Sequence, residues 1–290
     1  MNLAMKLVNI TAVVCLLSAM PSMADKLKNT DAVTPKISAK QVNIEERNKH
    51  FYSLSYLKNI NDFQLLNNDD VDVVTLEYGG KYAWGDSFIF FDRLHASADI
   101  HSLRKEKNYL EASARLSIPY LFNQPTIASS TRDKSTLAKY VKDYFVAGTV
   151  EYSYLKIDTN KPYSTTITNS LLGVGIAWQS DFFSYLNSNF YYANNEKQES
   201  DYQLTLTFAK SFTIAELAFK TNGYIDWSSA ASDHKASFHF SPQVLLDLGK
   251  VFNQPKLVFV GVEYSYWRNK YGLSNVDDEH TVSAMVKLSF

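Results

Sequence analysis

The last ten residues of the chain, 281–290, read TVSAMVKLSF. Every second residue in this stretch is apolar, namely Val282, Ala284, Val286, Leu288 and Phe290. The residues between them are polar, except for Met285. Because successive side chains of a strand point to opposite faces, this pattern predicts a strand with one apolar and one polar face. Taken alone, the same pattern also fits a half-buried edge strand of a soluble protein.

Eleven further segments repeat this alternation. Together with the last one, the predicted strands cover residues 50–59, 71–83, 87–97, 108–119, 143–156, 167–179, 183–193, 202–213, 215–228, 236–249, 257–269 and 279–290. This is an even number of strands, which lets both ends of a closed antiparallel barrel finish on the same side of a membrane.

Ionisable residues share the polar face of these predicted strands. They are Glu77, Lys81, Asp92, Glu111, Arg115, Glu151, Lys220, Asp226, Glu263 and Lys287. A dry core would make so many charges very costly, whereas the wall of a water-filled interior accepts them. We therefore predict an all-β fold, a closed 12-stranded antiparallel transmembrane barrel of the outer membrane over residues 50–290, with lipid on its apolar face.

The predicted connections alternate between short turns and longer polar loops. Residues 84–86 and 251–255 form short turns, whereas residues 98–108, 158–166, 194–201, 229–235 and 270–278 are longer. We expect the longer set to face outward from the cell. The segment 120–142 breaks this rule, since it is long and falls on the short-turn side, and its residues 133–140 suggest a short helix.

The beginning of the chain has the features of an export signal. Lys6 precedes an uncharged, mostly apolar run, and small residues, Ser22 and Ala24, precede Asp25. This predicts a cleaved signal peptide over residues 1–24, followed by a flexible periplasmic segment over residues 25–49. The expected location is the outer membrane of a Gram-negative bacterium.

Composition excludes several classes of protein. The chain has 29 Lys and Arg against 30 Asp and Glu, so no overall charge favours binding to nucleic acid. Cys15 is the only cysteine and lies in the predicted signal, which leaves no disulfide. The six histidines have no close ligand spacing, so we predict no metal site and no cofactor. Beyond the signal, no apolar run is long enough for a transmembrane helix.

Three segments resemble a known family. They are LEYGGKYAWGDSFIFFD at residues 76–92, GYIDW at 223–227 and GVEYSYW at 261–267. They are similar to strands of the nucleoside-specific channel-forming outer-membrane proteins, the Tsx family with its OmpK-like relatives. This resemblance implies a monomeric, narrow, twelve-stranded channel that passes nucleosides, and in some members a receptor for phages or colicins. The aromatic end of the last strand, Phe290, resembles the signal by which the barrel-assembly machinery recognises outer-membrane proteins.

The inner face also suits a nucleoside, which has a stackable base and an uncharged, hydroxylated sugar. We predict aromatic faces for the base at Phe88, Phe90, Tyr224, Phe259 and Trp267. We predict hydrogen-bonding groups for the sugar and base edges at Asp92, Glu111, Arg115, Lys220, Asn222, Asp226 and Glu263. No residue in this set needs to perform a reaction.

Other interpretations remain open on the sequence. Tyr224 and Trp267 also fit an aromatic girdle at the membrane interface, and the charged residues also fit mutual ion pairs that stabilise the interior. A nonspecific small porin and a purely structural or adhesive barrel are the main alternatives. An outer-membrane lipase is a weaker one, since His239 and Ser241 share a face but no nucleophile motif accompanies them.

Overall fold

The computed structural model describes residues 49–61, 71–98, 103–124, 126, 139–158, 163–274 and 277–290. The predicted signal peptide lies outside these residues, and so does the predicted periplasmic segment apart from Lys49. Among the described residues no helix is long and apolar enough to cross a membrane.

Twelve strands form one closed antiparallel barrel in this part of the chain. Their bounds are β1 His50–Asn59, β2 Val71–Tyr82, β3 Gly85–Ala98, β4 Leu103–Ser117, β5 Val141–Asp158, β6 Tyr163–Trp178, β7 Tyr185–Asn194, β8 Asp201–Ile214, β9 Leu217–Ser228, β10 Ser237–Asp247, β11 Val258–Arg268 and β12 Glu279–Ser289. Each strand pairs with its neighbours in sequence, and β1 pairs with β12. The predicted fold class is confirmed.

The first and last strands close the barrel. Their register places Ser53 opposite Ser289 and Asn59 opposite Ser283. At the end of this seam, Tyr52 and Phe290 exchange both backbone hydrogen bonds, at 2.9 and 3.0 Å. Because every strand then has two partners, the sheet has no free edge on which another chain could add a strand.

The outer face of the barrel is apolar around its middle. Leu76, Val146, Leu172, Val174, Val262 and Val286 all point outward and are exposed, and Leu172 is 66% exposed. Outward-facing ionisable residues lie toward the strand ends, as with the exposed pair Arg93 and Glu106. Aromatic side chains such as Tyr52, Tyr192 and Tyr202 lie near the ends of their strands. A continuous exposed apolar band of this kind needs a nonaqueous surrounding.

The inner face is polar in part and apolar in part. Two apolar clusters lie on it. The first contains Leu57, Leu245, Phe259 and Met285 with Val73 packed against them, and the second contains Ala147, Leu171, Tyr191 and Ala193. Met285 interrupts the alternation of β12 because it belongs to the first cluster. The inner wall therefore has two packed apolar regions beside its ionisable residues.

Connection length does not separate the two ends of the barrel as predicted, because the connection between β4 and β5 at the end of the chain termini covers residues 118–140, and the one between β3 and β4 at the opposite end covers only residues 99–102. The turn between β8 and β9 has Ala215 and Glu216 at φ values of 45° and 70°, the left-handed pair that a tight hairpin turn needs. Gly85 begins β3 at a φ of 150°, where an added Cβ would lie 1.9 Å from the carbonyl oxygen of Arg115.

Two short helices stand where sequence patterns predicted strand or turn. Helix α1, Ile118–Leu121, follows β4, and helix α2, Leu248–Val251, follows β10. Asp247 caps α2 by accepting a hydrogen bond from the backbone N–H of Lys250 at 3.0 Å, which ends β10 two residues earlier than predicted. Most of the helix predicted within residues 133–140 lies outside the described residues.

Candidate functional site in the barrel interior

The strand register places all twelve predicted site residues on the inner face. Their positions follow from the pairs that link each strand to the next, such as Asp92 with Thr75, Glu111 with Phe90, Asp226 with His239 and Glu263 with Gln243. Tyr224 and Trp267 therefore point into the barrel and do not form part of an interfacial girdle. The structure brings some of these residues together and separates others.

Five carboxylates occupy the middle of the interior. We call them the carboxylate belt: Asp92 on β3, Glu111 on β4, Glu151 on β5, Asp226 on β9 and Glu263 on β11. Glu111 and Glu151 lie directly opposite each other in the register of β4 and β5. Asp226 lies on β9, five strands away from β4 along the wall. The belt therefore gathers five ionisable carboxyl groups in the interior.

The belt is held by neutral hydrogen-bond donors. Thr75 donates to Asp92 at 2.6 Å, Ser113 to Glu111 at 3.1 Å, Asn169 to Glu151 at 3.0 Å, Thr205 to Asp226 at 2.6 Å and Gln243 to Glu263 at 2.7 Å. Among the described residues, none of the five forms a salt bridge of 4.0 Å or less. Their positions are fixed by these donors, and no cationic side chain of the described residues pairs with them.

Aromatic side chains form two rows that lead to the belt. The first row starts near the chain termini and consists of Phe51, Phe88, Phe90 and Tyr109, with successive ring centroids 6.4, 5.8 and 5.5 Å apart. The second row starts at the opposite end and consists of Tyr271, Trp267, His239 and Tyr224, with successive centroids 5.8, 3.8 and 5.0 Å apart. Such spacings are typical of contacting aromatic pairs.

Tyr224 connects the second row with the belt. Its side chain lies two residues from Asp226 on the inner face of β9. Tyr109 makes the same connection for the first row, since its hydroxyl donates to Glu111 at 3.4 Å. Both rows therefore end beside hydrogen-bond acceptors, the combination that an aromatic base joined to a hydroxylated sugar requires.

Two predicted site residues have structural partners in this arrangement. The guanidinium of Arg115 donates two hydrogen bonds to Asp86, at 2.7 and 2.6 Å, and lies over the ring of Phe145 with Cζ 4.5 Å from its centroid. Phe259 is buried in the first apolar cluster, packed among Leu57, Leu245 and Met285. Breaking a buried ion pair such as that of Arg115 is costly, and Phe259 is packed in an apolar cluster. Both side chains therefore stabilise the barrel wall.

Two other predicted residues, Asn222 and Lys220, lie on β9, which pairs with β8 and β10. Asn222 donates to the side-chain oxygen of Gln243 at 3.0 Å, and through Gln243 it is linked to Glu263. Its own Oδ1 has no hydrogen-bond partner among the described residues. Lys220 lies on the same face of β9, two residues before Asn222. Electrostatic effects act on it from Lys287 and Glu77, which form an ion pair with each other.

Sequence reasoning left out five residues that the structure adds to the site, of which Phe51 begins the first aromatic row. Tyr109 and Glu151 lie on the same inner face as Glu111. Alternation predicted that face but not that these side chains come together with Glu111. His239 accepts or donates to Ser265 at 3.0 Å and stacks on Trp267, and it is not paired with Ser241. Tyr271 lies in a loop, where no periodic signal exists. No group of metal-ligating side chains occurs in the described part of the chain.

Loops pack together at the end of the barrel opposite the termini. His234, in the loop between β9 and β10, is held between Asp233 at 2.6 Å and Asp201 at 3.1 Å. The backbone N–H of Glu199 donates to Asp233 at 2.9 Å, which joins this loop to the one between β7 and β8. Gly272, in the loop between β11 and β12, accepts from the backbone N–H of Lys235 at 2.9 Å.

The histidine makes this loop contact dependent on pH. Burial by itself lowers the pKa of His234, but its hydrogen bonds with Asp233 and Asp201 outweigh burial and leave the pKa above its ordinary value. A raised pKa adds stability below the unfolded pKa, about 6.5, and that stability is lost as pH rises through the folded pKa. We expect hydrogen exchange of residues 229–235, corrected for its intrinsic rate, to speed up between about pH 6 and 8. In a His234→Asn variant this pH dependence should disappear, and its persistence would show that another group controls the loop.

The fold and interior together define a closed antiparallel barrel with an apolar outer band and a charged, aromatic inner wall. No family model matches the chain, and no curated protein matches it. Solved structures similar to it include porins and autotransporter barrels. The KdgM porin matches at 9% identity and a TM-score of 0.39, covering 83% of this chain and 98% of that one. The translocator domain of the autotransporter NalP from Neisseria meningitidis matches at 9% identity and a TM-score of 0.40, covering 97% of each chain.

Proposed function

We propose that this protein is an outer-membrane channel for the passive diffusion of nucleosides and similar small solutes. The observation that carries the proposal is the pairing of aromatic rings with hydrogen-bond acceptors in the interior, where Tyr109 and Tyr224 adjoin the carboxylate belt. The resemblance of residues 76–92 to the nucleoside-specific family supports the same substrate class.

The outer face supports placement in a membrane. Side chains such as Leu172 and Val174 are 66% and 57% exposed on neighbouring outward positions of β6. Burying apolar surface in hydrocarbon stabilises a barrel, whereas leaving it in water favours aggregation. A closed sheet also satisfies every strand's backbone hydrogen bonds within the barrel, as a lipid surrounding demands.

The interior supports a solute with both an aromatic base and hydroxyl groups. Stacking of a base on an aromatic side chain is worth about 1–3 kcal/mol, and the two rows offer several such faces in series. Carboxylates of the belt accept hydrogen bonds from ribose hydroxyls and base N–H groups. Several weak sites in series suit transport, because a solute must leave as readily as it enters.

We expect the purified protein in planar bilayers to show a small single-channel conductance that adenosine or thymidine reduces at about millimolar concentration. Phe90→Ala and Tyr224→Ala should each weaken this block about fivefold or more, since each removes one stacking face. Val260→Ala is the matched control, because Val260 lies on the outward face of β11. The measurement is the nucleoside concentration that halves the current.

Three other results would contradict the proposal in distinguishable ways. A large conductance that nucleosides leave unchanged would favour the nonspecific porin. Equal weakening in the Val260→Ala control would refute the assignment of the two aromatic faces. The absence of any conductance in the correctly folded protein would favour a structural or adhesive barrel.

A further inference from the structure

The loop between β11 and β12 sends one side chain across the barrel interior. Tyr271 lies in a short 3-10 helix, Lys270–Gly272, that follows β11. Its hydroxyl accepts a hydrogen bond from Nζ of Lys107 on β4 at 2.8 Å. Three strands, β1 to β3, lie along the wall between β4 and β12 on the shorter side of the barrel. The contact therefore bridges parts of the wall that are not neighbours.

Further contacts hold Tyr271 in place from several directions. Gln198, in the loop between β7 and β8, donates its side-chain N–H to the backbone carbonyl of Tyr271 at 3.0 Å. The ring lies 5.8 Å from that of Trp267, and the ammonium of Lys107 lies 5.0 Å from its centroid. Lys107 lies on the same face of β4 as Tyr109 and Glu111, so its side chain points into the interior.

The loop backbone is shaped to present this ring. Asn269 and Tyr271 have φ values of 47° and 59°, in the left-handed region. Asparagine tolerates that region, but a bulky aromatic residue rarely adopts it. The neighbouring Lys270 is buried and anchored by an ion pair with Glu279 at 2.5 Å. Unfavourable backbone conformations persist where the surrounding contacts fix them, and they concentrate at functional positions.

We propose that Tyr271, held across the interior by Lys107, is the specificity-determining residue that limits the size of solutes admitted from the end opposite the chain termini. This inference rests on the proposed channel function. The ring begins the second aromatic row and leads through Trp267 and His239 to the carboxylate belt, so a solute that follows this row from this end meets it before the other rings of the row. Planar solutes pass by stacking on the ring, and bulkier ones are excluded.

The test compares Tyr271→Ala with the protein itself in planar bilayers and in liposomes swollen with sugars of graded size. We expect Tyr271→Ala to raise single-channel conductance about twofold or more and to admit a trisaccharide that the unaltered protein excludes. Tyr271→Phe keeps the ring but loses the bond to Lys107, so it should give an intermediate increase. Tyr154→Ala is the control, because Tyr154 lies on the outward face of β5 toward the same end of the barrel. Heat-modifiable migration in gels verifies folding of each variant.

Each outcome separates this inference from the function on which it rests. If the unaltered protein conducts and Tyr271→Ala matches it in conductance and size limit, the role of Tyr271 is refuted and the channel function stands. If only the variant conducts, Tyr271 closes the outer mouth and the inference is supported. If neither folded protein conducts, both are refuted. An increase in Tyr154→Ala equal to that in Tyr271→Ala would also refute the inference.

Discussion

Replacing Glu111, Glu151 and Asp226 together with glutamine or asparagine is expected to lower the preference of the channel current for cations about tenfold. Two of these three members of the carboxylate belt, Glu111 and Glu151, lie directly opposite each other in the register of β4 and β5. The three have no salt bridge among the described residues, so at a pH at which they are ionised their charge acts on passing ions. In a narrow interior with low-dielectric walls, charge of one sign raises the local concentration of the opposite sign.

The amide substitutions leave the local geometry in place. Each amide oxygen still accepts the hydrogen bond from Ser113, Asn169 or Thr205, and no carboxylate remains at the three positions. The barrel should therefore fold normally, and its heat-modifiable migration in gels should not change. Any change in selectivity then reports on charge alone.

The measurement is the reversal potential of the current across a salt gradient. The matched control is Glu106→Gln, because Glu106 lies on the outward face of β4 and already pairs with Arg93 at 3.5 Å. Its replacement should leave the reversal potential unchanged. If the triple variant kept the original reversal potential, the belt would not line the path that ions take.

The fold was predictable because alternation is a local property of each strand. Glu111 and Leu110 occupy opposite faces in the sequence pattern and in the structure, and the same holds for Val286 and Lys287. Strand ends were less predictable. Strand β4 begins at Leu103, five residues before the predicted start, because it continues to pair with β3 and β5 beyond the apolar segment.

The sequence predicted which residues of the site face the interior, but it did not predict which of them contact one another. Arg115 and Phe259 were correctly placed inside, but their partners, Asp86 and the first apolar cluster, come from other strands whose relative register the sequence does not state. Tyr271 carried no signal at all, because loop residues have no periodicity and its contact with Lys107 depends on barrel closure. Interior contacts of this kind require the three-dimensional register.

Alternate side chains of each strand are expected to face lipid and the barrel interior. Residues 258–267 of β11 offer the clearest test, since all ten pair with β12 and seven of them also pair with β10. Its outward residues are Val258, Val260, Val262, Tyr264 and Tyr266, and its inward residues are Phe259, Gly261, Glu263, Ser265 and Trp267.

The most direct measurement is a nitroxide scan of these ten positions in lipid vesicles, with single cysteines introduced in a Cys15→Ser background. Oxygen dissolves in hydrocarbon, so its collision rate with the label should be high at the five outward positions and low at the five inward ones, giving a period of two residues. A collision rate that shows no such period, or that peaks at Glu263 and its inward neighbours, would contradict the proposed placement of the barrel in a membrane.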